Sequence, residues 1–471
     1  MNYKTLIGLE IHSELLTNSK IFCSCTTSFV GDENTHCCPI CLGLPGTLPV
    51  VNKKVVDFAI KAGLALNCEI SQFSKMDRKN YFYPDLTKAY QISQYDLPIC
   101  HDGYIKTEAD QKIRIRRIHL EEDAGKSIHT NEGSSLLNYN RAGVPLIEIV
   151  SEPDMTSADE AYEFLEKLKA ILQYIEVSDC KMEQGSLRCD VNINVKSEDG
   201  TFVSNIVELK NLNSFKAVAK AIEYEEKRHI HLLEKSENTV KETRRWDDAK
   251  NETIRMRSKE YAQDYRYFPE PDLGTIEIDY DWIEKIRETI PELPNDKKKR
   301  FIKEYNLPEK DIDVLMITKK MANFFEDVVK EFKDVNMVSN WIRIELYRRL
   351  KENNTEIDDI KFSIEDFSKF LELIKKGTIN NNAGKKVFKE MYETGKTPEM
   401  IVKEKGLIQI EDEEQIRDIV KQVLKENPKS IEDFKNGKDR ALGFLIGQVM
   451  KLSRGKANPQ IVNTLIKEEL I

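Results

Sequence analysis

The stretch LRCDVNINV, residues 187–195, alternates strictly between polar and apolar side chains. Alternation with a period of two predicts a β-strand that buries one face and exposes the other. The polar face carries Arg188, Asp190, Asn192 and Asn194, and the apolar face carries Cys189, Val191, Ile193 and Val195. Shorter runs of the same kind recur up to about residue 290, namely TLIGLEIH, KIRIRRIHLE, VPLIEIV, NIVELK and GTIEIDY.

Two helical patterns interrupt these strands, SADEAYEFLEKLKAILQYI at 157–175 and SFKAVAKAIEYEEKRHIHLLE at 214–234. Ser157 is the expected N-cap of the first helix, and Glu160 completes a capping box with it. Because helices and strands do not alternate regularly, the pattern favours an α+β domain over a doubly wound sheet.

The chain divides into three predicted domains, since 471 residues are many for a single core. Pro291 and Pro294, followed by a charged run, indicate a boundary. Beyond it the composition becomes helical and rich in lysine and glutamate. We therefore expect a catalytic domain at 1–290, a helical domain at 291–400 and a small helical tail domain at 401–471.

Composition excludes several classes of protein. Charged residues make up 32% of the chain, and no stretch approaches the ~18 apolar residues of a membrane span. Glu10 and His12 stand where a secretory signal would have its apolar core, so we expect a cytoplasmic protein. The formal net charge of −9 argues against a protein that coats nucleic acid without specificity, although it leaves room for a local basic patch.

The nine cysteines point to thiols or a metal rather than to a disulfide framework. Cys23 and Cys25, followed after twelve residues by Cys38 and Cys41, match the spacing of a structural tetrathiolate zinc site. The other interpretation is a set of incidental buried thiols, and Cys37 is either a substitute for Cys38 or a bystander. The isolated cysteines are expected to be small core residues: Cys68, Cys100, Cys180 and Cys189.

Carboxylates and amides, together with one histidine, recur in the middle of the predicted strands. Glu10 and His12 share one face of GLEIHSE, Glu148 lies inside PLIEIVSE, and Glu208 shares a face with Lys210 in IVELK. A solvated face is the alternative for any single strand. The recurrence predicts instead a face that holds hard cations, which prefer oxygen ligands and bridge to phosphates. The best candidate magnesium ligands are Glu10, His12, Glu122 and Glu148, and the second group is Asp190, Asn192 and Glu208.

The stretch HLEEDAGKSIH, residues 119–129, contains Gly-Lys-Ser but is not a phosphate-binding P-loop. A P-loop has another glycine five positions before that Gly, and Leu120 occupies the position here. The acidic run at 121–123 would also repel a phosphate that it faced without a cation between them. We therefore interpret the run as a source of metal-binding acid, with Lys126 reaching phosphate from the side.

Basic and aromatic residues alternate in three segments, KMDRKNYFYPD, ETRRWDD and DYRYFPEPD. Guanidinium and ammonium groups stabilise transferring phosphoryl charge, and flat rings stack bases. The alternative is that the rings belong to the core and the cations to solvent. The residues concerned are Arg78, Lys79, Tyr81, Phe82, Tyr83, Arg244, Arg245 and Arg266.

Taken together, these segments resemble the B subunit of the tRNA-dependent amidotransferases, the GatB family. The matching stretches are IGLEIHSEL, CPICLGLPGTLPVVN, DRKNYFYPDLTKAYQISQYD, HLEEDAGKS, NRAGVPLIEIVSEPD, GSLRCDVN, ELKNLNSF, ETRRWD and DYRYFPEPDL. Near the end, IEDFKNGKDRALGFLIGQVMKLSRGKANPQIVN is similar to the tail domain of the family. The resemblance implies a cradle-like kinase domain similar to the glutamine synthetase and guanido kinase fold, then a helical domain and a small tail.

The resemblance also implies a reaction and its partners. Members of the family work with an A subunit that hydrolyses glutamine and a small C subunit, and together they convert Glu-tRNA(Gln) to Gln-tRNA(Gln) and often Asp-tRNA(Asn) to Asn-tRNA(Asn). Making an acyl-phosphate from a carboxylate needs ATP, Mg²⁺ and an acid-rich site. The Gly-Ser-Ser run at 133–135 predicts a turn rather than a glutaminase site, so the ammonia must come from a partner. Because some members lack the cysteines, the zinc is expected to be structural.

These expectations assign roles to individual residues. The candidate catalytic residues are Glu10, His12, Glu122, Glu148 and Lys79. The candidate ATP-binding or phosphate-binding residues are Arg78, Lys79, Lys126, Arg188, Asp190, Asn192, Glu208 and Lys210. Two other functions stay open. The first is a small-molecule amide ligase of the glutamine synthetase type, and the tail domain argues against it because such an enzyme would not need one. The second is a non-catalytic tRNA adaptor with a zinc knob, and the many acids on the predicted strands argue against it.

The tail carries a basic patch within an acidic chain. Residues 435–456 contain six basic side chains and one acid, Asp439, for a local charge of +5. The six basic residues are Lys435, Lys438, Arg440, Lys451, Arg454 and Lys456. We expect them to contact tRNA phosphates, and the alternative is an ordinary solvated helix face.

Overall fold

The computed structural model describes residues 2–130, 133–258, 262–407, 413–435, 439–453 and 457–470. The chain forms two compact units, Met1–Lys297 and Lys298–Ile471. The first unit contains strands and helices and the second is helical, which confirms the predicted mixed character of the first part and the helical character of the second. None of the helices in these ranges is long and apolar enough to cross a membrane.

Sixteen strands lie in the described part of the first unit. They are β1 Tyr3–Glu14, β2 Glu69–Ile70, β3 Phe73–Ser74, β4 Asp77–Asn80, β5 Tyr90–Ser93, β6 Cys100–Lys106, β7 Lys112–Glu122, β8 Lys126–His129, β9 Ser135–Asn138, β10 Pro145–Ser151, β11 Leu187–Ser197, β12 Val207–Lys210, β13 Glu242–Asp247, β14 Glu252–Ser258, β15 Phe268–Pro269 and β16 Ile276–Glu277.

Nine of these strands form one sheet in the order β14-β13-β12-β11-β1-β10-β7-β6-β2. Neighbouring strands are antiparallel except β12 and β13, which run parallel. The long strand β1 lies at the centre between β10 and β11. Burial in β11 alternates residue by residue along its whole length, as the sequence predicts. The smaller sheets are β15-β4-β5, β16-β3 and the hairpin β8-β9.

One face of the large sheet is apolar and packs against helices. The helices of this unit are α1 Lys53–Ala65, α2 Ala158–Tyr174, α3 Phe215–Glu234 and α4 Tyr280–Arg287. The inward residues Ile7, Leu9 and Ile11 of β1 share one buried cluster with residues of all four helices. Four isolated cysteines are buried, as predicted for core residues: Cys68, Cys100, Cys180 and Cys189.

The start of α2 follows the prediction with one difference. The Ser157 hydroxyl accepts a hydrogen bond from the Glu160 amide at 3.2 Å, so Ser157 is the N-cap. The Glu160 carboxylate, however, accepts from the amide of Thr156 at 2.6 Å, one residue before the cap. Of the predicted turn at 133–135, Gly133 has φ 82° and donates its amide to the Thr130 carbonyl at 3.2 Å, whereas Ser135 already belongs to β9.

The helices of the second unit, with α5 beginning just before it, are short. They are α5 Pro294–Tyr305, α6 Glu309–Leu315, α7 Lys319–Phe332, α8 Val335–Trp341, α9 Tyr347–Asn353, α10 Ile364–Lys375, α11 Asn381–Thr394, α12 Pro398–Glu404, α13 Glu413–Glu426, α14 Pro428–Lys435, α15 Asp439–Leu452 and α16 Pro459–Leu470. A π-helical turn at Ile342–Leu346 joins α8 to α9.

Two separate apolar clusters stabilise this helical part. The first runs from Phe301 to Val402 and is rich in aromatic rings, with the Trp341 and Phe370 ring centres 4.8 Å apart in an edge-to-face contact. The second runs from Ile416 to Ile466 and consists of residues of α13, α15 and α16 together with Ala457, which precedes α16.

Candidate metal and phosphate site

The opposite face of the large sheet is polar, and its acids and histidines meet on three neighbouring strands. Glu148 of β10 is the direct cross-strand partner of both His12 on β1 and His119 on β7. Residues directly opposite each other in antiparallel strands lie on the same face of a sheet. Glu121, two residues after His119, lies on that face as well.

His12, Glu121 and Glu148 form a compact group of possible metal ligands. His12 Nε2 lies 3.2 Å from Glu121 Oε1 and 3.3 Å from Glu148 Oε2. One ligand atom from each of the three residues lies within 4.8 Å of the other two. Both carboxylates are buried and His12 is half-buried, so solvent reaches the group beside the imidazole.

The charges of this group stabilise one another. Burial alone lowers the pKa of His12, but Glu148 and Glu121 outweigh that effect and raise the pKa to about 10. Burial alone raises the pKa values of Glu121 and Glu148, yet His119 and His12 hold both pKa values well below their ordinary range. Carboxylates that stay ionised while buried are the oxygen ligands that a hard cation prefers.

The predicted convergence of Glu122 with His12 is corrected by the structure, because Glu121 takes that place. Consecutive residues of a strand point to opposite faces of the sheet. Glu122 shares the parity of Ile118 and Leu120, which belong to the apolar core on the helix side. The carboxylate that faces His12 is therefore the first of the two adjacent glutamates.

Glu122 has a different environment at the end of β7. Its carboxylate accepts hydrogen bonds from Lys88 Nζ at 2.7 Å and from the Ile92 amide at 2.9 Å. Glu122 and Lys88 also line a cavity of about 180 Å³ together with Cys23 and Cys41. This acid thus belongs to the region beside the cysteine cluster.

A second polar group lies on the same face, across β1, β11 and β12. Glu10 is directly opposite Asp190, and its carboxylate accepts a hydrogen bond from Asn192 Nδ2 at 2.8 Å. Lys210 Nζ lies 2.5 Å from Asp190 Oδ2 and 3.7 Å from Glu208 Oε1. The structure therefore groups Glu10 with the three residues predicted as the second set of ligands and with Lys210.

Lys79 of β4 lies close to the acids of the first group and is enclosed by tyrosines. Its Nζ lies 5.0 Å from the ring centre of Tyr265 and 5.8 Å from that of Tyr81. Burial alone lowers the pKa of Lys79, but the negative charges of Glu121 and Glu148 contribute to raising it. Lys79 is thus a half-buried cation that stays charged beside two carboxylates.

Arg78 and the aromatic residues near it have mixed environments. Arg78 donates two hydrogen bonds to the Glu270 carboxylate, at 2.7 and 2.8 Å, so its guanidinium already has an anionic partner. Tyr95 and Tyr267 stack with ring centres 4.4 Å apart, whereas Phe82 is 81% exposed. The rings of these segments are therefore neither uniformly core nor uniformly exposed.

Among the other predicted phosphate-binding cations, Arg188 lies beside the metal-ligand group. It is directly opposite His12 across the β1–β11 pair, and its Nη2 donates to Asp123 at 3.0 Å. Lys126 is exposed on the β8-β9 hairpin. The side chain of Arg244 is 14% exposed and pairs with Glu242 at 2.8 Å. Arg245 and Arg266 are exposed.

The four predicted zinc ligands come together in the loops after β1. They are Cys23, Cys25, Cys38 and Cys41, and their sulfur atoms all lie within 4.8 Å of one another. Cys37 is outside this group, and its Sγ lies 3.7 Å from Asn140 Oδ1. The hydrogen bond from Cys23 lowers the pKa of Cys41 to about 4, and Lys20, with Nζ 3.7 Å from Cys41 Sγ, acts in the same direction.

Comparison with known families decides the assignment. The family model described as the GatB/GatE catalytic domain matches residues 5–284, and the model described as the GatB domain matches residues 323–470. The chain belongs to the GatB family. The resemblance of its motifs to that family is thereby confirmed.

Curated GatB relatives match the chain from end to end. Three of them are each named as the B subunit of an aspartyl/glutamyl-tRNA(Asn/Gln) amidotransferase. The protein of Thermoanaerobacter pseudethanolicus is 59% identical over 473 residues, which cover 100% of both chains. Those of Caldicellulosiruptor bescii and Clostridium tetani are each 57% identical, over 477 and 474 residues, and cover 100% of this chain and 99% of the relative.

His119 was not predicted as a residue of this GatB site, and Glu121 was predicted only as a member of the acidic run at 121–123. The stretch IHLEE contains a pattern that indicates their position, because the apolar residues Ile118 and Leu120 alternate with His119 and Glu121. Two apolar residues that point to the core place the intervening polar residues on the opposite face. The contact with Glu148 had no comparable signal, since the pairing of β10 with β7 is set by the whole sheet.

Proposed function

We propose that this chain is the subunit of a tRNA-dependent amidotransferase that activates the side-chain carboxylate of tRNA-bound glutamate or aspartate with ATP and converts it to the amide. The observation that carries the proposal is the pair of ionised, buried carboxylates, Glu121 and Glu148, beside the cation Lys79 on one polar sheet face. The names of the full-length relatives specify the same reaction class. The chain is accordingly a carbon–nitrogen ligase with glutamine as the amido donor.

The reaction has two steps. A carboxylate oxygen of the aminoacyl group attacks the γ-phosphorus of ATP, the bond to ADP breaks, and an acyl-phosphate forms. Ammonia then attacks the acyl carbon, phosphate leaves, and a proton is lost. Glu-tRNA(Gln) becomes Gln-tRNA(Gln), or Asp-tRNA(Asn) becomes Asn-tRNA(Asn). A glutaminase A subunit supplies the ammonia, and a small C subunit completes the heterotrimer.

The donor set of the first group fits Mg²⁺, because it offers two ionised carboxylates and, once His12 gives up its proton to the solvent, one imidazole within 4.8 Å. A cation held there by His12, Glu121 and Glu148 would neutralise phosphate charge during transfer. Lys79 adds a fixed positive charge where the transferring phosphoryl group carries negative charge. Arg188, beside His12, is a second cation for the phosphates.

The second polar group extends this face for the nucleotide. Glu10, Asp190 and Glu208 supply further carboxylates, and Asn192 and Lys210 keep two of them in place through the contacts at 2.8 and 2.5 Å. We assign this group to the ATP phosphates and their cations, as expected from the sequence.

The fold type of the first unit and the division of the helical part can be specified further. We propose that the first unit is the cradle of the glutamine synthetase and guanido kinase type, and that the helical part divides into two domains close to the boundary expected from the sequence. Two separate buried clusters in the helical part support two domains. Because Ile401 and Val402 of α12 pack in the first cluster, we propose that the boundary lies beyond Val402 rather than at 400. We propose the cytoplasm as the location of the chain, as expected from the sequence.

Reconstitution tests the function directly. The chain is combined with its A and C partners, glutamine, ATP, Mg²⁺ and either mischarged tRNA, and the amino acid on the tRNA is identified. We expect glutamine on tRNA(Gln), asparagine on tRNA(Asn), or both. Amide formation on free glutamate instead would assign the chain to the small-molecule ligases, and tRNA binding without any amide would leave only the adaptor function.

We also propose that the four clustered cysteines hold one structural Zn²⁺, with Zn–S distances of about 2.3 Å. Metal analysis of the purified chain under reducing conditions is expected to give one zinc per chain. Cys38→Ser removes a ligand and should lose the metal, whereas Cys37→Ser is the matched control and should retain it, because Cys37 contacts Asn140 instead. Absence of zinc from the wild-type chain contradicts the proposal.

The tail is proposed as the surface that contacts tRNA. Lys438, Arg454 and Lys456 lie outside the described residues, as do the side chains of Lys435 and Asp439. The other two residues, Arg440 and Lys451, are exposed at opposite ends of α15. Eleven residues make three helical turns, so these two cations lie on the same side of the helix, about 16 Å apart.

Replacing both cations tests the tail. The double variant Arg440→Ala/Lys451→Ala should bind tRNA more weakly, and the salt dependence of log K should become shallower by about 0.7 to 0.9 for each lost phosphate contact. The charge-matched control is Lys310→Ala/Lys403→Ala, whose lysines are exposed outside the tail patch. Equal affinity and equal salt slope in the two double variants would show that α15 does not contact the tRNA backbone.

A further inference from the structure

His119 is a buried histidine that the proposed chemistry leaves without a role. It is 2% exposed and lies on the polar side of β7. Its Nε2 is 3.2 Å from Glu148 Oε2 and 3.8 Å from Glu121 Oε2. Its Nδ1 is buried and has no hydrogen-bond partner among the described residues. A buried ring nitrogen without a hydrogen-bond partner is unfavourable, so another interaction of His119 must offset its cost.

The two oxygens of Glu121 have different neighbours. Oε1 lies 3.2 Å from His12 Nε2, on the side of the proposed ligand group. Oε2 receives the Ser93 hydroxyl at 3.4 Å and lies 3.8 Å from His119. His119 and Ser93 therefore contact one oxygen of Glu121 and leave the other directed at His12.

Glu148 is held in a similar way. Its Oε2 lies between two imidazoles, 3.3 Å from His12 and 3.2 Å from His119. The three residues stand in one line across β1, β10 and β7, because each is the direct cross-strand partner of the next. A carboxylate contacted from both sides loses the freedom to rotate away from its partner.

We propose that His119 is a positioning residue, which fixes the orientation of the Glu121 and Glu148 carboxylates so that they bind a divalent cation together with His12. The inference rests on the proposed function of that group. His119 does not itself touch the reacting atoms in this assignment. Removing a residue that hydrogen-bonds to a metal ligand commonly weakens metal binding by about 10- to 100-fold.

The test compares a variant that keeps a donor with one that does not. In the complete heterotrimer with tRNA and ATP, His119→Leu should raise the Mg²⁺ concentration for half-maximal rate by about 10- to 100-fold, while the rate at saturating Mg²⁺ changes much less. His119→Gln, whose amide N–H reaches in the same direction, should restore most of the Mg²⁺ affinity. Ser93→Ala should shift the requirement in the same direction by a smaller factor.

Direct binding of Mn²⁺ to the purified chain, followed by the loss of its free electron paramagnetic resonance signal, gives a readout besides activity. We expect weaker Mn²⁺ binding by His119→Leu, recovery by His119→Gln and unchanged melting temperatures. The inference is overturned if both variants melt early with a normal Mg²⁺ requirement, or if His119→Leu binds Mn²⁺ as tightly as wild type. If the Leu variant does not fold, His119→Ala takes its place. Weaker Mn²⁺ binding by that variant supports the inference, and normal Mn²⁺ binding at a normal melting temperature overturns it.

Glu148→Gln separates this inference from the proposed function. Its loss of Mn²⁺ binding and of activity supports the metal site, whatever the result at His119. Retention of both by Glu148→Gln would instead overturn the metal site itself.

Discussion

Glu148→Gln should reduce the rate of ATP-dependent amide formation on tRNA by at least about 100-fold. Mutation of a residue that only hydrogen-bonds to a metal ligand already lowers metal affinity or activity by about 10- to 100-fold, and Glu148 is a proposed ligand itself. The substitution keeps the shape of the side chain and removes the negative charge that lies between His12 and His119. The measurement is the single-turnover rate of amide formation in the complex reconstituted with the proposed partner subunits. Binding of tRNA, measured separately, should be unchanged, because the side chain is buried.

The control for this prediction lies four residues further along the chain. Glu152 makes an ion pair with Arg116 at 2.8 Å, and Arg116 is 58% exposed. Exposed pairs of this kind contribute only about 0 to 1 kcal/mol, so Glu152→Gln should keep nearly full activity. If Glu148→Gln and Glu152→Gln were equally active, the carboxylate of Glu148 would have no part in the reaction.

Glu225→Gln should lower the free energy of unfolding by about 3 to 5 kcal/mol, the usual cost of removing one partner from a buried ion pair. Glu225 on α3 is fully buried and receives Arg228 at 2.7 Å, His229 at 3.2 Å and Arg244 at 3.2 Å. The hydroxyl of Thr253 also donates to it. Without the carboxylate, the guanidinium groups of Arg228 and Arg244 lose one of the two acids that they share, and the other, Glu242, lies 3.8 Å from Arg228.

The effect of this substitution should depend on pH. Burial alone raises the pKa of Glu225, but the hydrogen bonds from His229 and Arg228 outweigh it and lower the pKa to about 2. A lowered pKa stabilises the folded state above the unfolded value of about 4.3, and that stability is lost as the pH falls from there towards the folded value. Urea unfolding at neutral pH and in steps down to about pH 3 should therefore show the wild type approaching the variant.

The neighbouring acid on the same helix is the control for stability. Glu223 is exposed on α3, so Glu223→Gln should change the free energy of unfolding by less than about 0.5 kcal/mol at any of these pH values. A pH-independent difference between Glu225→Gln and wild type would show that the lost charge is not responsible.

The face of each single strand was predictable, because side-chain parity depends only on neighbours in sequence. Glu10 and His12 lie on the polar side of β1 and Ile11 on the apolar side, as predicted. The same parity, applied to Ile118 and Leu120, would have selected Glu121 in place of Glu122. The position of an acid within a motif therefore says less about the face it occupies than its parity along the strand does.

The contacts between strands were not predictable in the same way. His12 and Glu148 are far apart in sequence, and their pairing depends on the order and register of the whole sheet. A register irregularity between Val150 and Ser151 of β10 shifts the pairing with β7, and such an irregularity has no local sequence signal. The parallel pairing of β12 and β13 inside an antiparallel sheet is equally a property of the folded chain.

The central position of β1 has a consequence for the fate of misfolded chains. A slip of this strand by one residue, relative to its two neighbours, would turn every side chain to the other side of the sheet. Glu10 and His12 would then be buried in the apolar core, and Leu9 and Ile11 would be on the polar face. A chain with an altered register would thus lose its apolar core together with its polar site, so a shifted register should not persist as a folded but inactive protein.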